Sequence, residues 1–387
     1  MPPDGRAPDE RPEFTRARAR RASRPVRRAP AGATTRVRRR RAATSPRRGA
    51  APGRVRRGRN DAASSPPPGG GILGVPRTRR VTVSVPPSGQ QFEIRHGDQR
   101  ATIVEVGGGI REYRVGARHV LDPYPLDEMC TGAHGTPLIP WPNRLADGRY
   151  RFDGRDHQTA LTEPAKHNAI HGFLRWRSWE GIDRDEHRVV MATTLHPMPG
   201  YPFTLHVEVA YELTSDGLAV TTTAENRGDW PCPYGCGSHP YLSPGDGLID
   251  GCTLQLDAAT RITTDAVRQL PTGTEPVEGT AFDFRSPRAI GDLQVDFAFT
   301  DLTRDDDGRA WTRLTGTDGA EAALWVDRHH PYIEIYTGDT LPPDKCRRGL
   351  GTEPMTCPPN AFATGEDVIR LEPGASSTTS WGVRLNT

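Results

Sequence analysis

Four short segments hold the residues best suited to proton transfer. They are Pro140-Trp141-Pro142-Asn143-Arg144 with its continuation to Arg149, His167-Asn168-Ala169-Ile170-His171-Gly172-Phe173, Gly235-Cys236-Gly237-Ser238-His239-Pro240-Tyr241-Leu242, and Gly351-Thr352-Glu353-Pro354. Each joins Gly or Pro to an Arg, His or Glu, so each can present a side chain from a stiff loop. A carboxylate and an imidazole together can remove one proton and deliver another near neutral pH. An arginine adds a fork of donors that suits hydroxyl groups. Taken singly, each residue has a plain structural reading: a hydrogen-bonded histidine, a surface arginine, a solvated or paired glutamate. Cys232-x-x-x-Cys236-x-x-His239 offers the donor types of a zinc site. It has no second matching half, and Pro233 and Gly235 do not favour a knuckle, so no metal is expected.

The elements that must carry these residues are strands. Short alternating or β-branched stretches recur at Val81–Val85, Phe92–Arg95, Ala101–Val106, Tyr150–Phe152, Val189–Leu195, Leu205–Leu213 and Leu218–Ala224. They continue at Leu254–Leu256, Ala322–Val326, Ile333–Tyr336 and Ser380–Leu385. Turn dipeptides such as Asp153-Gly154, Asp216-Gly217 and Asp318-Gly319 punctuate them. Long amphipathic helical patterns are nearly absent. This combination predicts an all-β fold, a large antiparallel sandwich, rather than a parallel α/β sheet. No G-x-G-x-x-G follows a strand and no G-x-x-x-x-G-K-[ST] loop occurs, which removes dinucleotide and nucleoside triphosphate binding from the leading readings.

Composition divides the chain. Of 387 residues, the first 80 hold 23 Arg, no Lys and five acidic residues, with twelve prolines. The rest holds 28 Lys and Arg against 43 Asp and Glu. Charge repulsion and proline predict a disordered tail over residues 1–78, followed by one folded domain over 79–387. Clustered arginine can neutralise phosphates, but Phe14 is the tract's one aromatic residue and nothing is interleaved to stack bases. Nucleic-acid binding is therefore not expected of the tail. It reads as a solvated extension, or as upstream sequence translated from a misplaced start. No apolar run approaches the roughly 18 residues of a membrane span, and no apolar core follows the N-terminal arginines as in a secretory signal. Six scattered cysteines read as mostly buried thiols. A cytoplasmic protein, a monomer or weak dimer with no membrane partner, is expected.

Taken together and in order, the segments resemble the aldose 1-epimerase (mutarotase) family: NRLADGRYRFDG from Asn143, HNAIHGF from His167, GSHPYL from Gly237, YTGD from Tyr336, and a late Glu before a Pro/Asn-rich turn. The resemblance covers roughly residues 81–387. It implies the galactose mutarotase-like supersandwich, with a monosaccharide in an open cleft on one sheet. By that resemblance Glu353 is the general base, His239 the general acid and His171 a second histidine on the sugar. Arg144, with Asn143 beside it, binds sugar hydroxyls, and Asp296 of Val295-Asp296-Phe297 hydrogen-bonds the sugar. Glu334 stands where many members have Gln, two residues before the Tyr of YTG, and is placed with the substrate-binding residues. No cofactor is implied.

The resemblance implies interconversion of the α and β anomers of a free hexose by ring opening and closure. Pro140-Trp141-Pro142 is closer to the related hexose-6-phosphate 1-epimerases, which makes that activity the alternative. Against it, the folded part is acidic with only Lys166 and Lys345 as lysines. A non-catalytic carbohydrate-binding protein is a further alternative, but a binder has no use for an acid–base pair at the anomeric carbon. In Phe173-Leu174-Arg175-Trp176-Arg177 a strand with Trp176 in the core is expected. The other reading of that stretch brings Arg175 or Arg177 to an anionic sugar substituent.

Overall fold

The computed structural model describes residues 85–243, 245 and 247–387. The expected tail and the boundary at residue 79 lie outside them. So does the first expected strand except for Val85, which is exposed and outside any strand.

Period-two patterning produces the strands. Along Leu205–Thr214 the side chains of Leu205, Val207, Val209, Tyr211 and Leu213 are buried and those between them are half-buried. Gly217–Asn226 pairs with this strand in unbroken antiparallel register, from Leu205 opposite Asn226 to Thr214 opposite Gly217. Helix is confined, among the described residues, to Ala361–Thr364 and three short 3-10 turns.

Two large antiparallel sheets result. One has nine strands and includes Arg188–Leu195, Leu205–Thr214, Gly217–Asn226 and Ser376–Asn386 as successive neighbours. The other has twelve. Ile94, Ile103 and Tyr113 of the larger sheet share one core with Val207, Tyr211 and Val220 of the smaller. Burying a side chain of the Val, Leu or Ile kind there contributes about 1.5–3 kcal/mol. Tyr211 Oη also donates to the carbonyl oxygen of Gly108 at 2.7 Å, which satisfies its hydroxyl inside the core. The expected antiparallel sandwich is thus the fold.

Strand order in the larger sheet gathers distant segments. Arg118–Leu121 neighbours Tyr241–Leu242, then come Leu350–Met355, Tyr332–Tyr336 and Asp296–Leu302. A separate two-stranded ladder pairs Arg144–Ala146 with Asn168–Ile170. Beneath it the indole of Trp141 packs edge-on to Phe173 at 4.8 Å and tilted against Phe362 at 5.3 Å. The Pro-Trp-Pro stretch is therefore a packing brace.

The segment after His171 corrects the sequence expectation. Leu174–Trp176 is a single 3-10 turn, not a strand, with Leu174 buried and Trp176 51% exposed. Three residues per turn cannot face all three side chains inward. Trp179 takes the interior place instead, and its Nε1 donates to the Leu174 carbonyl at 3.2 Å.

Candidate active site

Glu353 lies within the strand Leu350–Met355, every residue of which is buried. The short strand Gly237–Ser238 pairs with it and delivers His239 from the following turn. Gly237 permits that close approach, since a Cβ there would lie 2.6 Å from the carbonyl oxygen of Pro354. His239 Nε2 and Glu353 Oε1 stand 3.0 Å apart, both groups almost fully buried. Glu353 Oε2 and His239 Nδ1 are buried with no hydrogen-bond partner among the described residues. On one side Tyr241 stacks on the His239 ring at 4.9 Å, and its other neighbour His134 stacks on it at 3.9 Å.

His171 meets His239 edge to face, with ring centroids 5.4 Å apart. Its ring is oriented by Asn143, whose backbone N–H donates to His171 Nδ1 at 3.1 Å. In return the His171 N–H donates to the Asn143 carbonyl at 2.9 Å. Both residues hold left-handed backbone, φ +53° at Asn143 and +60° at His171. Such geometry is uncommon away from glycine and concentrates at functional sites. An N–H can donate only to a bare ring nitrogen, so the proton of neutral His171 sits on Nε2.

Arg144 is buried and its Nε reaches Glu163 Oε2 at 3.1 Å, with Nη2 3.9 Å from Asp296 Oδ2. Asp296 opens its strand and accepts a hydrogen bond from Gln269 Nε2. Arg144, Glu163 and Asp296 line one cavity of ≈ 220 Å³, together with Asn143, His171, Arg175, His239, Tyr336, Leu341 and Glu353. Pockets for larger, drug-sized ligands run to about 300–1,000 Å³, so this volume suits a single sugar ring. Two wider surface grooves of ≈ 690 and ≈ 720 Å³ lie away from Glu353 and His239.

The structure thus brings together Glu353, His239, His171, Arg144, Asn143 and Asp296. Two placements refine the sequence reading. Glu334 does not line the cavity: it is buried directly opposite Glu353 on the adjacent strand. It is a cross-strand neighbour of the Glu353 carboxyl. The side-chain oxygen of Asn143 is taken by the Arg144 N–H at 2.7 Å, so that side chain serves the loop that carries the arginine. Glu163, Lys166 and Tyr241 also line the cavity and Gln269 contacts Asp296 beside it; none of the four was assigned to the site from sequence. Only Tyr241, inside the Ser-His-Pro-Tyr run, had a local signal.

Residues 90–383 match the family model for aldose 1-epimerase. The chain belongs to the aldose 1-epimerase family. The uncharacterized protein YihR of Escherichia coli K12 is 35% identical over 289 residues, 74% of this chain and 90% of that protein. The aldose 1-epimerase of the same organism is 27% identical over 239 residues, 57% of this chain and 66% of that one. Among solved structures, the GalM/aldose epimerase homologue from Caenorhabditis elegans superposes with a TM-score of 0.69 at 18% identity, covering 77% and 98% of the two chains. Galactose 1-epimerase from Lactobacillus acidophilus gives 0.63 at 20%, covering 76% and 94%. These structures share the fold of this aldose 1-epimerase family member.

Electrostatics in this family member's cavity favour neutral forms. Burial, then the neighbouring carboxylates of Glu334 and Asp296, raise Glu353 well above the ordinary carboxylate value, and Arg144 opposes them. Glu334 is pushed up to about 8, chiefly by burial and then by Asp296. Burial, followed by His134 and Arg175, brings His239 down to about 3. His171 also lies well below its usual value, from burial and then from His239. Burial opposes the Arg144 charge as well, but Asp296 and Glu163 outweigh it and hold the guanidinium up.

Donor atoms of His171, His239 and Glu353 lie within 4.8 Å of one another, close enough to surround a cation. The chemistry of the set opposes it. Metal-bound histidine donates its other ring N–H to an acceptor. The other nitrogen of His171 faces an N–H donor, and that of His239 has no partner among the described residues. Cys232 and Cys236 are buried free thiols outside this cluster.

Proposed function

We propose that this protein is an aldose 1-epimerase that interconverts the α and β anomers of a free aldose, with Glu353 as base and His239 as acid. The observation that carries the reading is the 3.0 Å contact between Glu353 Oε1 and His239 Nε2 at the floor of the sugar-sized cavity. Ring opening needs a proton taken from the anomeric hydroxyl and one delivered to the ring oxygen. One proton shared by this pair supplies that stoichiometry. In the free site burial keeps it on Glu353. Moving it along the short contact yields the carboxylate and imidazolium that opening requires.

Glu353 then accepts the O1 proton as the C1–O1 bond becomes a carbonyl, the C1–O5 bond breaks, and His239 protonates O5. Rotation about C1–C2 exposes the other carbonyl face. Closure returns both protons, with the roles of acid and base exchanged. General acid–base transfer of this kind is worth about 10²–10⁴-fold. His171 offers its Nε2–H to the sugar, while Arg144 and Asp296 orient the hydroxyls, which adds the advantage of a fixed reacting geometry.

Polarimetry of freshly dissolved α-D-glucose and α-D-galactose tests the reading. The wild-type protein accelerates the approach to anomeric equilibrium for at least one of them or for an acidic derivative. A Glu353→Gln protein that works as well as wild type sinks the mechanism.

A further inference from the structure

Among the described residues, one cation lining the cavity has no hydrogen-bond or ion-pair partner. Arg144 is committed to Glu163 and approaches Asp296. Lys166 pairs with the same Glu163 at 3.4 Å and donates to Gln269. Arg175 also lines the cavity, yet its guanidinium makes no hydrogen bond or ion pair among the described residues. The neighbouring Trp176 ring centre lies 5.6 Å from the guanidinium carbon. Trp176 itself is exposed, so the ring does not replace a counter-charge.

Arg175 is half-buried, and a guanidinium drawn partly out of water without a partner leaves its charge and five donors poorly matched. Burial accordingly lowers the Arg175 pKa, and its charge is felt by both His171 and His239. Arg175 thus stands within electrostatic reach of the catalytic pair. It is held there by the 3-10 turn Leu174–Trp176, anchored through buried Leu174. Arg177, two positions on, is different: it is exposed and, among the described residues, its one polar side-chain contact is the Met198 sulfur at 4.0 Å.

We propose that Arg175 is a specificity residue for an aldose bearing an acidic group on its exocyclic carbon, a phosphate ester, sulfate or carboxylate at C6. The proposal rests on the anomer-interconversion reading of the same cavity. An oxyanion at C6 matches the guanidinium fork and neutralises it. C6 is the position of an aldohexose that can carry such a group without removing a ring hydroxyl. The acidic surface of the folded part sharpens the assignment, since a positive cavity wall there runs against the prevailing charge.

The test uses the full chain. Anomer exchange is measured with D-glucose, D-glucose 6-phosphate, D-glucose 6-sulfate and D-glucuronate, by polarimetry or NMR magnetisation transfer. Calorimetric titration with the same four sugars reads binding independently of turnover. At least one acidic sugar is expected to exceed glucose by 10-fold or more, and which one does identifies the oxyanion. Arg175→Gln should lower the acidic-to-neutral ratio by roughly 10- to 100-fold, the span of one charge-assisted hydrogen bond. Arg175→Lys should keep part of the ratio and Arg177→Gln all of it. An acidic-to-neutral ratio near one in wild type, or a ratio unmoved in Arg175→Gln, overturns the proposal. If acidic sugars bind preferentially through Arg175 but no sugar is anomerised, the mutarotase reading fails and the assignment of Arg175 stands.

Discussion

Glu334 and Glu353 face each other across adjacent antiparallel strands, and both carboxyl groups are shut off from solvent. Two like charges directly opposite one another are destabilising, so at least one stays protonated. Glu334 has a folded-state pKa of about 8 against an ordinary value of 4.5. A raised carboxylate binds more protons folded than unfolded, so stability falls as pH rises from about 4.5 to about 8. Glu334→Gln removes that dependence. Thermal melts should show the variant gaining on wild type between pH 5 and pH 8. A constant difference across that range contradicts the assignment.

The same substitution should act on the base. Glu334 is the second-largest influence raising Glu353, after burial. With glutamine opposite, Glu353 loses the shared proton at lower pH, and the basic limb of kcat/KM should shift downward. A profile that keeps its position means the two carboxyl groups are not coupled.

Loss of either member of the acid–base pair should be nearly complete. Glu353→Gln and His239→Asn are each expected to lower kcat by about 10²-fold or more. The double variant should be little worse than either single one, because the two act as one proton-transfer unit. Multiplying losses would show independent roles. His171→Asn should be milder or comparable.

Arg144, held by Glu163, stays charged near neutral pH and is expected to position the sugar rather than transfer protons. Arg144→Ala should raise KM strongly. Glu163→Gln keeps a hydrogen-bond acceptor while removing the charge, and should raise KM by less. A kcat loss in Arg144→Ala as deep as in Glu353→Gln, with KM unchanged, would falsify the positioning role.

The N–H of Asn143 fixes the tautomer of His171. Nitrogen NMR of the free protein at pH 7 should place the His171 proton on Nε2. Because its pKa is held well below the usual value, the ring should stay neutral at pH 5 as well. An imidazolium signal at pH 6 contradicts this geometry.

Composition changes sharply near residue 80, and the family match begins at residue 90. A chain starting at Arg79 should keep the melting temperature and activity of the full one. Loss of cooperative unfolding in the shortened chain places part of the fold upstream.

Fold class was legible because alternation is a local property. The run from Leu205 to Leu213 announces a half-buried strand without reference to any neighbour. Glu353, His239, His171 and Arg144 were legible through the segments that carry them. What local patterning cannot convey is which carboxylate stands beside which. Glu334 sits two residues before Tyr336 and looks like a ligand contact; only the register shows that its nearest cross-strand neighbour is the Glu353 carboxyl. Glu163 carries no signal at all, since its role depends on a ladder that pairs Arg144 with Ile170. Trp176 misled for a related reason: hydrophobicity suggested the interior, while one 3-10 turn reversed its direction.

The strand carrying Glu353 lies between neighbours from residues 241–242 and 332–336, and His239 reaches it from a segment more than a hundred positions earlier. Contacts of such long sequence separation form late, after much loop-closure entropy has been spent, and slow the folding of β-proteins to milliseconds or longer. No fragment of the sandwich can therefore assemble the acid–base pair in advance. During refolding, recovery of catalytic turnover should coincide with the last kinetic phase, so a sugar assay doubles as a clock for closure of the larger sheet.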